Sequence, residues 1–90
     1  MSEVKATKVE AFENMKSPGD FMWHLTEGTP DRMTFVCPCG CGAFGGVLVK
    51  GEHAWGWNGD LEKPTTTPSI RFVGGCNWHG YLTDGIFRSC

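Results

Sequence analysis

A chain of 90 residues has room for one small domain and no second independent core. Apolar residues at 40% and charged residues at 20% are the balance of a folded domain rather than a disordered one. The formal charge of −2 is interspersed, which speaks against a phosphate-gripping surface, and no apolar run approaches the ~20 residues of a membrane-spanning helix.

Thirteen glycines and five prolines point to a turn-rich β fold. Residues 1–16 carry an imperfect helical stripe through Val4, Ala11 and Met15, so this stretch reads as a short helix or an added strand. It also lacks the apolar segment of a secretory signal. Ser17-Pro18-Gly19-Asp20 is turn chemistry and divides an N-terminal arm, residues 1–20, from a domain of residues 21–90. Phe21 to Thr26 and Met33 to Val36 predict a hairpin joined through a loop at 27–31. Phe44 to Lys50 and His53 to Trp57 predict two further strands, with His53, Trp55 and Trp57 on one face. Asn58-Gly59-Asp60 is a turn, Leu61 to Ser69 an extended loop, and Ile70 to Val73 a short strand. Asp84-Gly85 then marks a two-residue hairpin, which sets Thr83 opposite Ile86, Leu82 opposite Phe87 and Tyr81 opposite Arg88. Continuing that ladder brings His79 opposite Cys90. The expected fold is mainly β: one small antiparallel domain of five to seven strands, stapled by a structural zinc.

The zinc follows from the cysteines. Five is an odd number and no signal segment accompanies them, unlike a secreted disulfide scaffold; a cytosolic, reducing setting follows. Cys37, Cys39 and Cys41 fall within five residues, a run in which two disulfides of ordinary geometry are hard to draw. A cation collects such thiolates without difficulty. Gly40 and Gly42 supply the positive φ of a tight turn around sulfur, and Cys76-Asn77-Trp78-His79 offers a second ligand turn. Six donors compete for four places: Cys37, Cys39, Cys41, Cys76, His79 and Cys90. The first choice is Cys37, Cys41 and Cys76 with either His79 or Cys90, and Cys39 is able to replace Cys37 or Cys41. Thiolates with one imidazole favour zinc, and the Cys-x-Cys-x-Cys spacing matches neither common ferredoxin pattern.

No catalytic set stands out. Pro38-Cys39-Gly40-Cys41 is one residue short of the zinc deaminase motif and no His-x-Glu precedes it. With three histidines, no Ser/His/Asp set emerges from spacing alone. Trp23, Trp55, Trp57 and Trp78 offer a possible aromatic binding surface, beside a loop whose Thr65, Thr66, Thr67 and Ser69 hydroxyls are available for hydrogen bonds. For the strand tryptophans Trp55 and Trp57 core packing is the favoured reading, because aromatics at strand spacing usually pack.

Phe35 to Gly42, Trp57-Asn58-Gly59, Pro64 to Ile70 and Cys76 to Gly85, taken in that order, resemble a family of small phage and prophage proteins classed as a domain of unknown function. The resemblance spans residues 21–90. Where that family carries a Cys-Pro-x-Cys turn, this chain has Cys37-Pro38-Cys39-Gly40-Cys41. The resemblance implies a phage-type accessory protein inside a bacterial cell, and Cys90 is placed like the family's late cysteine. The leading expectation is therefore a non-enzymatic module in which zinc stiffens a surface for a host or phage protein. The alternative is a small zinc-dependent hydrolase with an open metal position bounded by His79, Asp60 or His53. A nucleic-acid-binding zinc module comes third, disfavoured by the charge.

Overall fold

The computed structural model describes residues 3–72 and 76–89. Its strands are β1 (Glu3–Lys5), β2 (Thr7–Lys8), β3 (Asp20–Thr26), β4 (Thr29–Val36), β5 (Phe44–Leu48), β6 (Gly56–Trp57), β7 (Thr66–Arg71), β8 (His79–Thr83) and β9 (Ile86–Ser89), with one 3-10 turn at Phe12–Asn14. They form a five-stranded sheet, β1-β9-β8-β7-β6, and a four-stranded sheet, β2-β3-β4-β5. The pairings are antiparallel except that of β2 with β3. The expected small, mainly antiparallel β fold is thus borne out. Among the described residues no helix is long and apolar enough to cross a membrane.

Residues 3–8, expected as part of an arm, edge both sheets. β1 pairs with β9 and β2 with β3, and the chain crosses between the sheets at Ala6, buried at 5% exposure. Ala6 N–H donates to Gly85 O (2.8 Å) and Thr7 N–H to Gly19 O (3.1 Å), so the crossing leaves these backbone donors satisfied.

The two-residue turns fix the register. Asp84 and Gly85 take φ of 49° and 75°, the left-handed pair a type I′ turn requires, and Thr83, Leu82 and Tyr81 face Ile86, Phe87 and Arg88 as expected. The ladder continues to Gly80 opposite Ser89; the expected pairing of His79 with Cys90 involves a residue outside those described. Glu27 and Gly28, at 52° and 80°, make a similar turn, so the loop expected at 27–31 shrinks and β4 starts at Thr29. β7 also starts earlier than predicted, at Thr66, because β6 and β8 both bond to it there.

The core lies where the sheets meet. Phe21, Met33, Phe35 and Val47 from the four-stranded sheet pack with Ile70, Leu82 and Phe87 from the other and with Trp78. The Phe35 and Phe87 rings are 4.9 Å apart. Each such fully buried side chain contributes roughly 1.5–3 kcal/mol, and this shared interior ties the sheets together.

Candidate functional site

Cys37 follows directly on β4. Its N–H donates to Ala43 O (2.8 Å) and its carbonyl accepts from Gly40 N–H (3.2 Å), which folds residues 37–43 into a tight knuckle. Gly40 and Gly42 have φ of 91° and 86°, a conformation that a Cβ would penalise. Cys76 arrives from the β7–β8 connection. The sulfurs of Cys37, Cys39, Cys41 and Cys76 all lie within 4.8 Å of one another, with Cys37 Sγ 3.3 Å from Cys39 Sγ and 3.5 Å from Cys76 Sγ. A tetrahedral ion bound by sulfur at ~2.3 Å places its ligands about 3.8 Å apart. The four thiols therefore suit one metal ion.

Their chemistry is uneven. Cys37 is fully buried, and burial pushes its thiol well above the ordinary range. Cys41 is exposed, and the Ala43 N–H directed at its sulfur brings it down to about 7. Of the other two candidate ligands, Cys90 lies outside the described residues, and His79 Nε2 bonds to Ser69.

His79 Nε2 lies 2.9 Å from Ser69 Oγ. Between the pairs Thr66–Leu82 and Ile70–Gly80, β7 sets Thr67, Pro68 and Ser69 against Tyr81 alone. Such a bulge turns a side chain out of the regular pleat. Beyond it Arg71 is paired with His79. Ile70, Gly80 and Leu82 point into the interior, so by alternation Ser69 and His79 meet on the solvent face. Trp55 Nε1 donates to Ser69 O (3.4 Å), and Phe72 N–H donates to Trp78 O (2.8 Å). The buried Trp78 thereby anchors the residue just before His79.

This pair was not predicted, because Ser69 falls in an expected loop and His79 has ligand spacing from Cys76. The available signal is the register: once residues 70–72 run antiparallel to 78–80, Ser69 and His79 become diagonal neighbours.

The remaining candidates have structural surroundings. Trp78 is 8% exposed and sits in the core, and Trp55 packs against that core. Trp23 and Trp57 pack with ring centres 4.7 Å apart and planes tilted by 40°; their indoles donate to Leu61 O and Asp60 O. His24 Nε2 is bonded to Thr34 Oγ1 (2.8 Å), and His53 is exposed in the turn before β6. The Asp60 carboxylate accepts from Lys63 N–H (2.9 Å) and Glu62 N–H (2.8 Å). These bonds, that of Lys63 foremost, hold it below the usual carboxylate range, so it caps its own loop. A groove of about 680 Å³, lined by Lys5, Lys8, Lys63 and Asp84 among others, lies at the Asp84-Gly85 end of β8. His79 is at the opposite end, where it and Ser69 meet on an open sheet face.

Neither the curated proteins nor the solved structures contain a match to the chain. The family model described as the bacterial ubiquitination-like system serine protease, BubE, matches residues 7–90, and the chain belongs to this family.

Proposed function

We propose that the chain is a serine protease in which Ser69 is the nucleophile and His79 its general base. The bond of 2.9 Å between Ser69 Oγ and His79 Nε2 carries this reading, since it is the contact an activated serine needs. The serine protease description of the family agrees with it. That description overturns the expectation of a non-enzymatic zinc module. The hydrolase alternative stands nearer, with serine rather than an open metal position as the reacting centre. The match also gives no support to a specifically phage-type protein.

In the proposed reaction Ser69 Oγ attacks the carbonyl carbon of a peptide bond while its proton passes to His79 Nε2. The tetrahedral adduct collapses to an acyl-serine ester, and the departing amine takes the proton from His79. Water, deprotonated by His79, then attacks the ester and releases the acid, which restores both residues. Following the family description, we place the substrate among the proteins of a bacterial ubiquitination-like system.

We further infer that Cys37, Cys39, Cys41 and Cys76 hold zinc. Four thiolates fill its tetrahedron and leave no position for water, as in structural sites. When bound, the ion supplies a cross-link between the end of β4 and the connection that leads to His79.

Hydrolysis of p-nitrophenyl acetate by the purified chain tests the dyad. The Ser69→Ala variant should fall to background and His79→Ala should lose about 10²-fold or more. Wild-type rates in both variants would refute the assignment.

A further inference from the structure

We infer that the substrate binds as an extended strand along the edge of β7 that β6 leaves uncovered, next to Ser69. This rests on the dyad proposed above and adds the class of substrate conformation it takes: an unfolded tail or loop rather than a helix or a folded surface.

The hydrogen-bond alternation of the sheet supports the inference. Phe72 N–H bonds to Trp78 O and Ile70 pairs with Gly80, so the backbone groups of residues 70 and 72 face β8. Those of Ser69 and Arg71 consequently face the other way. On that side Asn58 N–H donates to Thr65 O (3.1 Å), and Gly56 pairs with Thr67. Beyond Gly56 the covering chain departs: Trp55 N–H donates to Leu48 O (2.7 Å), in the other sheet. Among the described residues the Trp55 indole alone reaches back, to Ser69 O. Among the described residues no strand lies beside Ser69 and Arg71 on this side, and Arg71 is exposed.

The order across the sheet also suits the chemistry. His79 stands on β8, Ser69 on β7, and the open edge lies on the far side of β7. A chain added there approaches Ser69 from the side opposite its base. The Arg71 N–H and C=O offer it a pair of main-chain bonds, as in strand addition generally, while the Trp55 indole already occupies Ser69 O.

The test starts from a fluorogenic hexapeptide library cleaved by the wild-type chain. The best-cleaved peptide is remade with one backbone amide N-methylated at a time. Strand addition predicts that methylation at alternate amides lowers kcat/KM by about tenfold or more, the loss of edge bonds, while intervening amides tolerate it. Arg71→Pro removes the edge N–H without touching the β7–β8 ladder and should lower kcat/KM about tenfold relative to Arg71→Ala. Labelling of Ser69 by a fluorophosphonate in the wild-type chain reports separately whether the nucleophile is active. Uniform tolerance of N-methylation, or no cleaved peptide while Ser69 still labels, would overturn the edge inference and leave the dyad standing. Absence of labelling in the wild type would instead defeat the dyad, and the edge inference with it.

Discussion

Cys37 Sγ lies 3.5 Å from Cys76 Sγ although 39 positions separate the two residues. This contact joins the end of β4 in one sheet to the β7–β8 connection of the other. His79 follows Cys76 by three residues, with the buried Trp78 between them. The thiol cluster and the Ser69–His79 pair are therefore consecutive features of one connection, and an ion bound by the cysteines would restrain the approach to the dyad from its N-terminal side.

The chain should bind one zinc ion, measured by elemental mass spectrometry. Chelation, or the Cys76→Ser substitution, should lower the melting temperature by about 12 °C or more, corresponding to a loss of at least ~3 kcal/mol in a domain of this size. A metal-free preparation with an unchanged melting curve would contradict the structural role given to the cluster.

In metal-free protein the cysteines should alkylate unequally. Cys41, lowered to about 7, is mostly thiol below that pH and mostly thiolate above it. Its reaction with iodoacetamide should accelerate as pH rises from 6 to 8. Cys37, buried and raised, should react last across that range. Peptide mapping of the adducts checks the order, and equal labelling of both would contradict it.

Gly80 lies where the sheet can accept no side chain. A Cβ there would stand 2.7–2.8 Å from the Trp78 ring and would meet Arg88 O as well. Gly80→Ala should destabilise the fold by about 1–3 kcal/mol through overpacking. It should also reduce hydrolysis, because Trp78 and Gly80 flank His79. Denaturant unfolding together with the ester assay reads both effects; stability and rate equal to wild type would contradict this packing.

Much of the fold was legible where local chemistry is strong. Asp84-Gly85 gave the register of β8 and β9 because its turn type admits one alignment. The glycines after Cys39 and Cys41 announced the knuckle. The N-terminal strands were not legible, since Glu3–Lys5 and Thr7–Lys8 are too short to show a period and switch sheets at Ala6. The Ser69–His79 pair was hidden for two reasons. His79 carries a Cys-x-x-His spacing that suits a metal equally well, and the bulge at Thr67 to Ser69 breaks the alternation that would have aligned Ser69 with it. A strand pattern does not say which face is covered, so the tryptophans were not divided between core and surface; Trp78 is core, and Trp55 packs against it as favoured.

The central claim is that Ser69 is an activated nucleophile. The most direct measurement is intact and peptide mass spectrometry after incubation with a fluorophosphonate, on wild type and on His79→Ala. An activated Ser69 should give a single phosphonyl adduct, formed at least tenfold more slowly in the His79 variant. An unmodified Ser69, or equal labelling with and without His79, would contradict it.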